Sequence, residues 1–521
     1  MASEGIEIEK KYDVGEDAAV PALEELPGVA SVGTPHTAVL EAVYFDTDKH
    51  TLASRRITLR RRTGGADAGW HLKLPPEATT ETEPQHRREV HAPLGQPDVV
   101  PDSLMAHVQA HLRGADVRPV VRLQTRRTTH ALYAGDGTHL ADLADDWVEA
   151  ARLHPGDAEE QPQSWREWEL ELVHGGPELF EPAEPLLLAA GARPAGHASK
   201  LARALGGASK AGAALEGQAA PVELQAGKKA PAAAVVTVYV TEQLRRLLAE
   251  DAAVRLEEPE GIHNMRSAIR RLRSVLAAYK KLYRATPVRR LRDELDWLGQ
   301  LLGDPRDAEV VLAGLRSQLA GLPPGAGTDA VREQVERKAG AAFDAGYRQV
   351  HDALQSERYF RLLDNLEDFR DKPPVRADEV AAGRRLAVKA VDKSVRRLRR
   401  SQKAARQARR GTDYENALHQ VRKEAKRLRH VAELAVLVKG KRAGKVAKAA
   451  HKQQKILGGF HDAVVARKLL QDLESGPAMA EATAETLAVL RKRQADVMDQ
   501  AEAKYRKARK KSRGLLRRGV L

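Results

Sequence analysis

The segment "IHNMRSAIRRLR" (262–273) is answered 156 residues later by "LHQVRKEAKRLR" (418–429). The shared pattern H-x-x-R-x-x-x-[RK]-R-L-R matches His263 to His419, Arg266 to Arg422, Arg270 to Lys426, Arg271 to Arg427 and Arg273 to Arg429. A second pair, "LGDPRD" (302–307) and "LGGFHD" (457–462), recurs at an offset of 155. Two different motifs at one spacing mark a duplicated supersecondary unit. The surrounding Ala/Leu/Arg/Glu-rich segments have a helical period, so this half is expected to be all-α, with the two copies related by pseudo-two-fold symmetry.

On a helix, His263, Arg266, Arg270 and Arg273 fall in one stripe beside an apolar face of Ile262, Met265, Ile269, Leu272 and Leu276. His419, Arg422, Lys426 and Arg429 repeat the stripe beside Leu418, Val421, Ala425 and Leu428, with Arg271, Lys423 and Arg427 flanking. Like charges four residues apart destabilise a helix by about a few tenths of a kcal/mol per pair, so the crowding points to a resident polyanion. The plainer alternative is a solvated basic face paired with acidic neighbours. Each histidine alone is a packing or capping residue; the matched pair is assigned a role in shaping a site. Asp307 and Asp462 are expected to pair with an arginine or cap a turn.

A further basic helix over 384–410, with Arg396 and Arg399, extends the cationic surface. Guanidinium groups grip phosphate oxygens bidentately, whereas lysine acts as a point charge. Aromatic side chains are sparse among these basic residues, which speaks against base stacking and for a ligand of phosphates without bases. Nucleic acid is the weaker alternative, permitted by charge alone.

The net charge of +14 conceals an asymmetry. Residues 1–220 hold 22 basic and 34 acidic side chains, and the remainder holds 64 and 38. The stretch over 206–230 is rich in Gly, Ala and Pro and reads as a linker between domains at 1–205 and 231–521. The chain has no cysteine, which excludes disulfides and thiolate chemistry and suits a reducing cytoplasm. "MASEGIEIEKKYDV" lacks the layout of a signal peptide, and no apolar run reaches the roughly 20 residues of a membrane span, so no membrane partner is expected.

The first half alternates in short runs broken by turn signals: "GIEIEKKYDV", "AVYFDT", "RRITLRRR", "GWHLKLP", "HRREVHAPL", "PVVRLQTRRTTHALY", "THLADLADDWVEA" and "WREWELELV". These predict strands of an antiparallel sheet or barrel. Alternation puts Glu7, Glu9 and Lys11 on one strand face, and Glu167, Glu169 and Glu171 on another. Adjacent carboxylates repel, so two such sets in one small barrel suggest a hard divalent ion, Mg²⁺ or Mn²⁺. Arg60, Arg62, Lys73, Arg87 and Arg126 supply cations from the intervening strands, with Arg127 an alternative to Arg126. Asp142 is chosen as a third metal carboxylate, in competition with Asp145 and Asp146; of the late glutamates, Glu169 and Glu171 are favoured. Carboxylates on one side of a lumen and cations on the other can hold a metal–triphosphate complex.

The duplicated motifs resemble the CHAD family, the conserved histidine α-helical domain, over roughly 230–515. The resemblance implies two four-helix bundles whose basic central surface binds inorganic polyphosphate. The E-x-E-x-K of Glu7, Glu9 and Lys11, followed in order by "YFDT" (44–47), Arg60/Arg62, Lys73, Arg87/Glu89 and the late E-x-E strand, resembles the CYTH family of triphosphate tunnel metalloenzymes over about 3–205. "ASKLARAL", with Lys200 and Arg203, is similar to that family's closing basic helix. This resemblance implies an eight-stranded closed antiparallel tunnel that hydrolyses inorganic triphosphate, thiamine triphosphate or RNA 5′-triphosphates, or cyclises ATP; no adenine pocket is evident for the last. The expected whole is a two-domain α+β protein that binds polyphosphate and carries a metal-dependent triphosphatase tunnel, cytoplasmic and associated with polyphosphate granules if it follows its ligand. A tunnel that grips phosphate without turnover is the alternative.

Overall fold

In a computed structural model of the protein, the eight alternating runs become eight strands of one closed antiparallel barrel. The residues described are 3–75, 85–153, 162–206, 230–376, 383–475 and 481–518. The chain divides into two units, 1–222 and 223–521. The expected linker, apart from its two end residues, lies outside the described residues.

The strands are β1 (Ser3–Val14), β2 (Ser31–Val32), β3 (His36–Asp46), β4 (Thr58–Thr63), β5 (Gly69–Lys73), β6 (Gln85–Ala92), β7 (Arg118–Tyr133), β8 (His139–Arg152), β9 (Gln163–Leu172) and β10 (Arg193–Pro194). The ring runs β1-β6-β5-β4-β3-β7-β8-β9 and closes through β9 onto β1, with the short β2 and β10 appended to β7 and β1. Closure removes the free edges that an open sheet would expose. In the closing register Glu9 faces Glu171, Lys11 faces Glu169 and Asp13 faces Glu167, so charged residues from both strands enter the lumen side by side.

Apolar residues on the other strand faces pack under helices. Helix α1 (Asp102–Leu112) lays Leu104, Val108 and Leu112 against Leu59, Trp70, Leu72 and Val90. Helix α2 (Phe180–Ala189) covers Tyr12, Leu143, Trp168 and Leu170 with Phe180, Ala183 and Leu187. Consequently Trp165–Leu170 of β9 are all buried, their alternate side chains lying either under α2 or in the lumen. Helix α3 (Lys200–Ala204), capped by Ser199 Oγ accepting from the Ala202 N–H at 3.1 Å, packs Leu201 and Ala204 against Val121, Leu123, Val148 and Trp165. Those barrel residues lie on lumen-facing positions at one end, so α3 seals that end with apolar contacts.

The second unit is helical. Its elements are α4 (Ala232–Arg255), α5 (Gly261–Tyr279), α6 (Ala285–Leu301), α7 (Gly303–Ala320), α8 (Ala326–Val335), α9 (Ala341–Leu354), α10 (Glu357–Asp371), α11 (Gly383–Gln407), α12 (Thr412–Lys439), α13 (Lys441–Glu474) and α14 (Glu481–Arg518). A shift of about 156 residues carries α4 onto α11, α5 onto α12, α6 with α7 onto α13, and α8 with α9 onto α14. The first copy is interrupted at Leu302 beside Pro305, which cannot donate an internal helical bond; the second has Gly458 and Phe460 there and runs on as one helix. The apolar faces of the repeated helices, Ile262 to Leu276 and Leu418 to Leu428, are buried. Ser274 and His430 occupy the same repeat position, and His430 Nδ1 lies 3.0 Å from Ser274 Oγ. Equivalent residues can touch only where the axis relating the copies passes, so the pseudo-two-fold runs between α5 and α12.

Candidate functional site

The sealed barrel leaves a lumen open to solvent at its other mouth, ≈ 590 Å³ with the solvent at the mouth included. Its wall includes Glu7, Glu9 and Lys11 from β1, Arg60 and Arg62 from β4, and Lys73 from β5. Arg87 and Glu89 come from β6, Arg127 from β7, Glu169 and Glu171 from β9, and Lys200 from α3. Gly64 and Gly65, both with positive φ, turn the β4–β5 hairpin; a Cβ on Gly64 would stand 2.3 Å from Val39 O. The hairpin brings Asp67 onto Arg62 at the mouth.

At the sealed end, positive and negative groups are paired. Lys200 Nζ lies 2.9 Å from Asp146, 2.6 Å from Glu167 and 2.7 Å from Glu169. Arg127 grips Asp146 bidentately, Nε donating to Oδ1 at 2.7 Å and Nη2 to Oδ2 at 2.6 Å, and reaches Glu169 Oε2 at 2.6 Å. Asp146, Glu167 and Glu169 bring carboxylate oxygens within 4.8 Å of one another and could hold a metal ion. Here the Lys200 ammonium already lies among them. Burial opposes charging of Lys200, but the three carboxylates outweigh it and raise its proton affinity well above the ordinary lysine range.

Nearer the mouth, pairing is incomplete. Lys73 Nζ holds Glu7 Oε1 at 2.6 Å, and Lys11 Nζ holds Glu9 Oε2 at 2.8 Å and also contacts Glu169. The remaining oxygens, Glu7 Oε2 and Glu9 Oε1, are buried without a donor. Burial works against ionisation of Glu9, yet Lys11 and Lys73 keep it below the ordinary carboxylate range. Glu171 is pushed up to about 7, first by burial and then by Glu7, because it shares this corner with three other acids, Glu7, Glu9 and Glu169. Arg60, Arg62 and Arg87 each keep a buried Nε without an acceptor, although Arg87 Nη2 donates to Ala198 O at 2.7 Å. The lumen thus has acceptors lacking a cation and donors lacking an anion.

Two expected residues are displaced. Arg127, not Arg126, enters the lumen; Arg126 lies on the opposite face, 5.5 Å from the Trp147 ring centroid. Asp142 shares the lumen face with Asp146 but sits at the rim, opposite Glu171, bonded to His139 at 2.8 Å; Asp146 is the fully buried one. Four residues of strand separate them by roughly 13 Å. The composition of β8 could not choose between them, because both have the same parity. His71, which alternation along β5 sets on the same face as Lys73, joins this group: its Nδ1 lies 2.9 Å from Glu89 Oε1 and its Nε2 2.9 Å from Asp67 O.

On the helical unit, the structure separates the cationic stripe into two groups. Arg273 contacts Asp296, Arg271 approaches Glu433 at 3.6 Å, Arg427 meets Glu424 at 2.9 Å and Arg429 meets Glu433 at 2.7 Å. Arg273, Arg427 and Arg429 are thereby largely neutralised, whereas Arg271 Nε is buried without a hydrogen-bond acceptor among the described residues. Arg266 pairs with Asp307 at 2.8 Å, as expected of that aspartate. Arg270, Arg422 and Lys426 form no ion pair among the described residues, and Arg270 Nε and Arg422 Nε are buried without acceptors. Burial, then Arg266 and Arg422, press Arg270 down to about 9. A guanidinium does not deprotonate in proteins, so that pressure measures an unmet demand for an anion.

The first glycine of the second motif lies beside an arginine of the stripe in both copies. A Cβ on Gly303 would crowd Arg266 Nη2 at 3.3 Å, whereas one on Gly458 would make only an ordinary contact with Arg422 Nε at 3.8 Å. His263 is half-buried near Arg306, whereas His419 faces His461, a residue the repeat pattern did not single out. Arg396, Arg399 and Lys423 are exposed on α11 and α12.

Fold and sites define a two-part protein, a charged closed barrel and a duplicated basic helical domain. The CYTH domain family matches residues 5–191 and the CHAD domain family matches 238–471. The chain belongs to the proteins that join a CYTH domain to a CHAD domain. An uncharacterized protein of Mycobacterium tuberculosis, in strains H37Rv and CDC 1551, is 38% identical over 521 residues, covering 96% of each chain. Among solved structures, PptA from Streptomyces chartreusis is similar at 20% identity and a TM-score of 0.46, covering 54% of this chain and 99% of its own. The CHAD domain from the plant Ricinus communis is similar at 25% identity and a TM-score of 0.43, covering 56% and 93%. Among the described residues no helix is long and apolar enough to cross a membrane.

Proposed function

We propose that the protein binds inorganic polyphosphate through its helical unit and hydrolyses inorganic triphosphate, or a related triphosphate, in its barrel. The observation that carries the barrel reading is the double deficit of the lumen among the described residues: carboxylate oxygens without a donor beside guanidinium Nε atoms without an acceptor. A divalent metal–triphosphate complex supplies both.

The residues fit a hard divalent ion, Mg²⁺ or Mn²⁺, because the orphaned atoms are carboxylate oxygens and Glu171, raised by burial and then by Glu7, sits among acids that a cation would relieve. Glu7, Glu9 and Glu171 would hold it, with Glu169 adjoining; Asp142, across from Glu171, is bonded instead to His139, and Asp146 lies under Lys200 and Arg127. Bound there, the ion would polarise a phosphoryl group and favour ionisation of a coordinated water. Arg60, Arg62 and Arg87 would orient the phosphate oxygens and stabilise negative charge as it moves to the leaving group, with Lys11 and Lys73 as point charges beside them. The α3 seal excludes water from the far end and restricts a phosphate chain to entering by its terminus.

A second reading, a barrel that grips phosphate without turnover, is favoured by Lys11 and Lys73, which already occupy one oxygen each of Glu9 and Glu7. Phosphate release from tripolyphosphate with Mg²⁺ or Mn²⁺ decides between them: metal-dependent release supports hydrolysis, and its absence leaves the gripping barrel. For the helical unit, long-chain polyphosphate should resist displacement by DNA or RNA at equal phosphate concentration and physiological salt. Ready displacement would reassign this face to nucleic acid.

A further inference from the structure

The two copies of the repeat are not chemically equal. Around His263 the first copy has Arg270 and Arg306; the corresponding residues around His419 are Lys426 and His461. Arginine keeps its charge at any accessible pH, whereas lysine and histidine can release theirs when crowded. Arg306 is held by Glu309 at 2.8 Å and Glu260 at 3.3 Å. In the second copy no carboxylate among the described residues forms an ion pair with the corresponding His461. Instead His461 Nδ1 lies 3.2 Å from His419 Nδ1, with ring centroids 4.3 Å apart. Two ring nitrogens at that distance share one proton, since one must donate and the other must offer a lone pair, so at least one ring is neutral.

The groups facing these side chains are mostly cationic. Lys426 faces Arg266 and Arg270 from α5, Arg422 on its own helix and Asp307 from α7. His430, one turn farther along α12, faces Lys426 and is bonded to Ser274. His419 faces Lys423, Arg422 and Lys426, and His461 faces the same three and Asp307. Asp462 on α13 faces Arg422 and Lys426. Arg397 from α11 turns instead to Glu424, at 3.7 Å. Burial first, and then these like charges, press Lys426 down to about 6 and His419 down to about 4.

We propose that the second copy is a proton-loaded half-site: polyphosphate binding draws protons onto Lys426 and the His419–His461 pair, so the helical unit holds its anion more tightly as pH falls. This rests on the polyphosphate reading of the same face and adds its regulation. A phosphate chain laid against Lys426 offsets the neighbouring positive charge and restores the lysine's proton affinity. Between the free and bound values the complex carries more protons than the separate partners, and affinity falls as pH rises across that interval. For Lys426 the interval begins at about 6. In the first copy Arg266, Arg270 and Arg306 keep their charge throughout, and His263, lowered by burial and by Arg306, is the group there that can add protons at the acid end.

The test is titration calorimetry of the full chain with long-chain, metal-free polyphosphate at several pH values between about 6 and 9, in two buffers of different ionisation enthalpy. Long chains keep the titratable end groups a small fraction of the ligand. The expected result is net uptake of about one proton per bound site or more, with affinity falling about tenfold per pH unit for each proton linked. Lys426→Arg should lower the uptake and flatten the slope, and His461→Arg should do so at the acid end. Binding with equal heats in both buffers overturns the inference and leaves the polyphosphate reading intact, as does a full slope in both variants. Failure to bind at every pH overturns both.

Discussion

The barrel lumen and the helical stripe both collect lysine and arginine, and they balance that charge in opposite ways. In the barrel, Lys200, Arg127, Lys11 and Lys73 are matched to Asp146, Glu167, Glu169, Glu9 and Glu7 within one small lumen. On the helices, Arg270, Arg422 and Lys426 form no ion pair among the described residues, while their neighbours Arg273, Arg427 and Arg429 have acidic partners. A nearly balanced lumen selects a neutralising pair, a cation together with an anion, and limits it to the space available. An unbalanced face selects negative charge alone and can accept a long chain. The same residue types therefore yield a defined cavity in one unit and a polyanion surface in the other.

The sharpest way to break the comparison is the double substitution Glu7→Ala with Glu9→Ala. It removes both orphaned carboxylates, and metal-dependent phosphate release from tripolyphosphate should drop to background; retained release would place the metal elsewhere. Lys200→Met tests whether the sealed end is balanced by that ammonium. Glu167 would lose its cationic partner while Asp146 and Glu169 keep Arg127, costing about 3–5 kcal/mol. Chemical denaturation should show the barrel transition shifted to lower denaturant, and an unshifted transition would mean water or a metal ion replaces the lysine.

On the helical side, Arg266→Ala with Arg422→Ala should weaken long-chain polyphosphate binding about a hundredfold, as expected for two charge-assisted contacts. Circular dichroism should show unchanged helix content. Equal affinity would move the site to another basic surface, such as α11.

The smallest effect is a pH dependence of barrel stability. Glu171 has a folded value of about 7 against an ordinary 4.5, so the folded barrel binds more protons than the unfolded chain in that window. Its contribution is fully present below about 4.5 and is lost as pH rises through about 7. Added Mg²⁺ or Mn²⁺ should recover that stability at neutral pH, measured as a metal-dependent rise in melting temperature. A melting temperature indifferent to metal across the window would contradict the placement of an ion beside Glu171.

Much of this was legible before any coordinates. The eight alternating runs correspond to the eight barrel strands, and the buried faces of α5 and α12 are those the helical period marks. Alternation and helical period are local properties, set by where each Cβ points along a strand or helix, so the chain states them directly. The E-x-E-x-K strand and the duplicated stripe belong to the same class of information.

What tertiary structure alone decided depends on register and on contacts between distant segments. Arg127 rather than Arg126 faces the lumen because β7 aligns Arg127 with Asp146 of β8, a pairing set by the closed barrel. Asp142 and Asp146 share a face, and only their depth along the barrel separates a rim residue from a buried one. Lys200 enters the carboxylate cluster because α3 packs into one end, and His461 meets His419 from 42 residues away because α13 folds back along α12. Sequence by itself determined which side chains share a face; only the folded chain decided which charges were met and which were left for a ligand, because electrostatic balance acts through space across strands and helices that the chain order keeps apart.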